Sequence, residues 1–248
     1  MFFFNGQYII LIFAPGIAMK KIVVFTGAGM SAESGINTFR DSGGLWEQHK
    51  IEDVATPEAF RRDPDLVLNF YNQRRQQVLA ASPNKAHIAI AQLEQKFEVH
   101  VITQNIDDLH ERAGSTNVLH LHGEIRKSRS TVDPNLIYSI DGSALQMGER
   151  CERGSQLRPH IVWFGEAVPA MEEAEYITSL ADIFLIIGTS LAVYPAANLV
   201  AFAKTSIPKY LVDPNAKPIP FIANLKIINE KAGTGIPLLV EKLLNDEH

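Results

Sequence analysis

Cysteine is almost absent. Cys151 is the only one in 248 residues, so no intrachain disulfide can form and no four-thiolate metal site can be built. A reducing, cytoplasmic setting is the expectation. Basic excess is also missing: 23 Lys and Arg against 28 Asp and Glu leave a net charge of −5, which excludes a general nucleic-acid-binding face. Only Arg61-Arg62 and Arg74-Arg75 offer local anion sites. No apolar run reaches the roughly 20 residues a membrane helix needs. The apolar start, Met1 to Ala18, is broken by Pro15-Gly16 and lacks the basic opening of a secretory signal. Because Met19-Lys20-Lys21 leads straight into a strand-like run, residues 1–18 are read as an upstream or appended segment outside the fold. Repeats and low-complexity tracts are lacking too. What remains, 46% hydrophobic and 21% charged residues, is the make-up of a soluble globular chain with one substantial core and a smaller lobe, expected to be a monomer with no membrane or nucleic-acid partner.

Short apolar runs recur at Ile22–Thr26, Val99–Thr103, Leu119–Leu121, Ile161–Phe164, Ile183–Gly188 and Tyr210–Val212 and read as buried parallel strands. Helical spacing alternates with them at Leu66–Leu79, Ala86–Phe97, Met171–Leu180, Pro195–Lys204 and Ile236–Leu244. Alternation of this kind implies right-handed crossovers and an α/β, doubly wound parallel sheet of Rossmann type. Two stretches fit it poorly. Residues 39–84 read as a loop followed by helices, and residues 127–158 are polar and turn-rich; both are assigned to a smaller inserted domain. Residues 19–38, 85–126 and 159–248 then form the main domain.

Gly27-Ala28-Gly29-Met30-Ser31-Ala32 follows the first strand as a phosphate-cradling turn and a predicted helix start. Gly27 and Gly29 allow close backbone approach to a pyrophosphate, and Ala32 fills the third small position of the dinucleotide fingerprint. A dehydrogenase would place a second strand next, ending in an acid for the adenosine ribose. Here the chain enters Thr38-Phe39-Arg40-Asp41-Ser42-Gly43-Gly44, a loop.

Gln104, Asn105 and Asp107 follow the strand Val99–Thr103 directly, at the sheet's carboxyl edge where open α/β folds bind ligands. Such side chains suit an amide and a ribose; the alternative is a helix N-cap. His120 and His122 bracket Leu121, and strand alternation puts both rings on one face. A neutral imidazole is a natural base for a sugar hydroxyl. One or both could instead be satisfied core histidines.

Five segments in order, Gly27–Arg40, Thr103–Asp107, His122-Gly123, Arg158–Glu166 and Gly188-Thr189-Ser190, resemble the sirtuins, NAD-dependent protein lysine deacylases. The resemblance runs from about Lys20 to the C-terminus. It implies that NAD lies along Gly27, Ala28, Gly29, Ser31, Glu33, Phe39 and Arg40, with Gln104, Asn105 and Asp107 around the nicotinamide ribose. Gly188, Thr189 and Ser190 add contacts, as do Asp213, where the family usually carries asparagine, and Ala232. It further implies His122 as the base, with Asn105 and Asp107 beside it, and an acyl-lysine peptide clamped by Val162, Phe164, Gly165, Glu166, Val193 and Tyr194. Nicotinamide and O-acyl-ADP-ribose would be the products.

Tyr71 and Arg74 share a helix face and resemble the Tyr-x-x-Arg element of class III sirtuins, which receives the carboxylate of succinyl- or malonyl-lysine; Ala55 matches the small residue that widens this pocket. One departure stands out. Sirtuins carry four zinc cysteines where this chain has Ser130, Asp133 and, of the second pair, only Cys151, so no zinc is predicted and packing of Leu136, Ile137, Tyr138, Ile140, Leu145 and Met147 is expected to compensate. The rival readings are a protein ADP-ribosyltransferase, a non-catalytic module that binds NAD or ADP-ribose, and, least favoured, a dehydrogenase.

Overall fold

The computed structural model describes residues 3–4, 7–8, 19–36, 49–191 and 193–245. Near the start, β1 (Phe3–Phe4) and β2 (Gln7–Tyr8) pair antiparallel. The main sheet holds β3 (Lys21–Thr26), β4 (Glu98–Thr103), β5 (Val118–His120), β9 (Ile183–Ile187), β10 (Lys209–Val212) and β11 (Leu225–Ile228), all parallel, in the order β11-β10-β9-β3-β4-β5. This is the dinucleotide-fold order, and it reverses between β3 and β9, where a ligand crevice opens beyond the strand ends.

The central strand shows why its sequence is apolar throughout. Ile22 and Val24 point to one face, into a core with Ile90 of α4 (Lys85–Gln92) and Leu239 of α7 (Ala232–Asn245). Val23 and Phe25 point to the other, against Ala174 of α6 (Met171–Ser179) and Leu199. A strand covered on both faces needs no polar alternation.

A separate antiparallel sheet is built from β6 (Gly123–Ser130), β7 (Ile137–Ser139) and β8 (Leu157–Ile161). Beside it stand α1 (Ile51–Val54), α2 (Pro57–Arg62) and α3 (Pro64–Ala80). The starts of α2 and α3 are capped: Thr56 and Asp63 accept from the N–H of Ala59 and Leu66 at 3.0 Å each, with proline next. A short helix, α5 (Leu109–Arg112), follows the polar segment after β4.

Several expectations need correction. The run Ile161–Phe164 is no parallel strand: its chain pairs antiparallel as β8, ending at Ile161. Strand β11 lacked a clear signal, being a short edge strand with exposed Lys226. Over the described residues 28–36, directly after Gly27, there is no α-helix. Two 3-10 turns, Ala28–Met30 and Ala32–Ser34, run to a left-handed Gly35 (φ 84°). A 3-10 helix over Ala196–Phe202 likewise replaces the expected α-helix.

His87 of α4 and His110 of α5 meet edge-on with ring centroids 4.8 Å apart, both buried. Burial pushes His87 down to about 4 and His110 well below its ordinary value. The unfolded chain therefore binds protons below pH 6.5 that the folded chain refuses, so stability falls as pH drops from 6.5 toward 4. His87 alone is expected to cost about 3 kcal/mol at pH 4 relative to neutrality. Urea midpoints across this range should show the decline, and His87→Gln should flatten it; an unchanged slope would contradict the assignment.

Candidate active site

At the reversal point two turns interlock. Gly27 N–H donates to Ile187 O at 3.0 Å and Gly29 N–H to Gly188 O at 2.9 Å. A Cβ on Gly27 would lie 2.8 Å from Gly188 O and from Thr189 Cβ, and one on Gly29 would lie 2.7 Å from Gly188 Cα. Gly188 itself is left-handed (φ 58°), and a Cβ there would meet Met30 N at 2.4 Å. These glycines thus let the end of β3 and the end of β9 touch. The N–H groups of Gly27, Gly29 and Gly188 are committed to main-chain carbonyls of neighbouring strand ends. Asn84, the N-cap of α4, fastens the turn from outside by donating to Met30 O (2.8 Å) and Ser34 Oγ (3.1 Å).

On the β4 side, the polar segment forms one connected network. Asn105 Nδ2 donates to Gly27 O (3.1 Å) and Ser31 Oγ (3.0 Å), and Ser31 Oγ donates to Asp107 Oδ2 (3.0 Å). Thr103 Oγ1 holds the Asn105 N–H at 3.0 Å. Gln104 Nε2 reaches across to Thr189 Oγ1 at 3.1 Å, closing the ring of strand ends. Burial pushes Asp107 up, opposed by its bonds from Ser31 and the Leu109 N–H.

The two histidines take different roles. His120 is satisfied at both nitrogens: Nδ1 lies 3.0 Å from Asn105 O and Nε2 lies 2.7 Å from the Glu111 carboxylate. Although burial opposes it, the Glu111 partnership raises its pKa. His122 lies past the end of β5 with Nδ1 2.9 Å from Gln104 O. A carbonyl only accepts, so the proton sits on Nδ1 and the Nε2 lone pair is left as a base. Burial lowers its pKa, partly offset by that hydrogen bond, so the ring is neutral at pH 7.

Glu33 is exposed, and its carboxylate accepts the Gly233 N–H at 2.7 Å. This brings the glycine turn against the first residues of α7, where Ala232 is buried. Asp213 follows β10 and accepts the Asn215 N–H at 2.8 Å. Ala28 is half-buried and Ser190 exposed. Phe39 and Arg40, with the rest of the Thr38–Gly44 loop, lie outside the described residues.

A second group surrounds α3. Tyr71 and Ala55 are buried with Trp163 in one core, and Phe164 N–H donates to Ala55 O at 3.0 Å. Arg74 lies partly buried, its guanidinium 5.9 Å from the Phe70 ring centroid. Burial lowers its pKa, while Tyr71 and Asp107 pull it back up; Arg74 therefore links this group electrostatically to the first. Phe164, Val193 and Tyr194 are exposed, Gly165 is left-handed at φ 88°, and Val162 N–H donates to His122 O at 2.9 Å. The Glu166 carboxylate accepts from Arg158 (2.6 and 2.9 Å), Arg129 (3.1 Å) and the Trp163 N–H (2.8 Å).

A profile of the Sir2 family matches residues 27–195. The chain belongs to the Sir2 family. An NAD-dependent protein deacylase of Helicobacter pylori (strain ATCC 700392 / 26695) is 51% identical over 226 residues, 91% of this chain and 98% of the relative. Among solved structures, a mutant Sir2 homologue with ADP-ribose superposes with a TM-score of 0.83 at 40% identity, covering 93% of this chain and 96% of the other. A Sir2 homologue–NAD complex gives 0.82 at 40% identity, covering 91% and 90%. For a Sir2 chain the donor set here fits NAD: a hydroxyl, two amides and a carboxylate at the fold's crossing point match ribose hydroxyls and a carboxamide.

Zinc does not fit. Where the resemblance places zinc-binding cysteines, the chain has Ser130, Asp133 and Cys151. Ser130 Oγ accepts the N–H groups of Val132 and Asp133 at 3.2 Å, lies 2.8 Å from Ser155 Oγ and accepts from Cys151 Sγ at 3.3 Å. The Asp133 carboxylate is paired with Arg153 at 2.9 Å. Among the described residues no cluster of three metal-ligating side chains occurs. The expected packing holds in part. Ile140, Leu145 and Cys151 bury themselves with Leu68 and Leu157, with Leu136 and Tyr138 at the edge. Ile137 and Met147, also expected there, are exposed at 45% and 46%.

Trp163 lies inside the Arg158–Glu166 segment, in an apolar run that marks no role for it. The available signal was its indole N–H, which needs a partner once buried.

Proposed function

We propose that the protein is an NAD-dependent protein lysine deacylase acting on acetyl-, malonyl- and succinyl-lysine, with preference for the acidic acyl groups. The observation that carries it is the His122 ring, whose Nδ1 is held on Gln104 O and whose neutral Nε2 is thereby available beside the Asn105–Ser31–Asp107 network.

When bound, NAD supplies an electrophilic ribose carbon with nicotinamide as its leaving group. The chain's own residues bind, orient and move a proton. Asn105 and Asp107, fixed by Ser31, orient the ribose and carboxamide. His122 Nε2 takes a proton from a sugar hydroxyl, and its held tautomer spares reorganisation as it does so. Phe164, Gly165, Val193 and Tyr194 border the strip where an extended peptide adds as a strand. Arg74 and the Tyr71 hydroxyl supply charge-assisted donors for a distal carboxylate.

The test is product identity. Acylated-lysine peptides incubated with NAD and the native protein should release nicotinamide and O-acyl-ADP-ribose in equal amounts, read by mass spectrometry. A protein-bound ADP-ribosyl group would favour transferase activity instead. No nicotinamide release with any acyl-lysine would leave only a binding module.

A further inference from the structure

Trp163 Nε1 donates to Tyr71 Oη at 3.0 Å, with both side chains buried. The indole is itself immobilised. The Arg158 guanidinium lies over its ring, 3.3 Å from the centroid, and Glu166 grips Arg158 through both nitrogens while accepting the Trp163 main-chain N–H. An indole N–H can only donate, so at this contact the phenol oxygen is the acceptor. The phenol's own proton must then point away from Trp163. Tyr71 and Arg74 share one face of α3.

We propose that Trp163 is a positioning residue for acyl choice: by occupying a lone pair of Tyr71 Oη, it aims the phenol proton at the carboxylate that Arg74 receives. This rests on the reading of Tyr71 and Arg74 given above. The Glu166–Arg158 pair holds the indole in place, which gives this largely buried ion pair a role in the specificity of the Tyr71 pocket. Burial pushes Tyr71 up to about 12, so the proton to be aimed is present at every working pH.

Trp163→Phe keeps an aromatic ring under Arg158 and removes the donor along with part of the buried indole, a packing loss that would weigh on all three peptides alike. Expected is a loss of about fivefold in kcat/KM on succinyl- and malonyl-lysine peptides relative to the acetyl peptide, through KM; one neutral hydrogen bond sets that scale. In a Tyr71→Phe background the same change should add nothing to that difference. Calorimetric binding of the succinyl and acetyl peptides gives a second readout independent of turnover. Equal losses on all three peptides would show a merely structural role and overturn the inference. So would a native preference for acidic groups that Tyr71→Phe abolishes and Trp163→Phe leaves intact, which spares the acyl reading. A native protein with no such preference would sink both.

Discussion

His122→Ala is expected to lower O-acyl-ADP-ribose formation by about 10²–10⁴-fold, the usual worth of a positioned base. The ring's hydrogen bond to Gln104 O limits the stability change to about 1 kcal/mol, so a lost rate would not reflect a lost fold. The native pH profile carries the complementary expectation. Only the neutral ring accepts a proton, and burial holds its pKa below the ordinary histidine value. Log kcat/KM should therefore be flat near pH 7 and fall on acidification, with its midpoint below about 6.5. An alanine variant that still forms product at the native rate, or an acid limb centred above pH 7, would remove His122 from the chemistry.

Arg74→Met should lower kcat/KM on succinyl- and malonyl-lysine peptides by about 10²-fold, the cost of truncating one partner of a buried charge pair, while acetyl-lysine changes by less than about threefold. Methionine keeps the length of the side chain and gives up the charge. The asymmetry follows from surroundings. Burial presses against the guanidinium's charge, and Tyr71 and Asp107 support it; a carboxylate arriving beside it adds a further favourable charge, whereas a neutral acetyl group adds none. Parallel assays of the three peptides decide the matter, and equal losses on all of them would refute the assignment.

Features whose cause is local could be read from the chain. Proline after Thr56 and after Asp63 announces two helix starts. Tyr71 and Arg74 share a face because a helix repeats every 3.6 residues, and a run as apolar as Ile22-Val23-Val24-Phe25 reads as a buried strand without any polar alternation. What stayed hidden depends on partners far away in the chain. The glycines after β3 are visible in the sequence, but the body they make room for, Gly188 and Thr189, is not; the turn packed against it has 3-10 geometry in place of the anticipated α-helix. Glu33 was assigned to the cofactor from resemblance, and its bond to Gly233 spans 200 positions. His120 and His122 are equivalent as letters. Only Glu111, one helix turn from the network, makes the first a satisfied structural ring. The indole on Tyr71 comes from 92 positions away, beyond the reach of any periodicity.

Where the sirtuin resemblance leads one to expect a metal knot, this chain ties Ser130, Ser155 and Cys151 to each other and to two main-chain N–H groups. Such a knot is made wholly from atoms the ribosome supplies. The turn at this end of the lobe is thus closed by the chain's own hydrogen bonds, and a strong chelator is expected to leave its order unchanged.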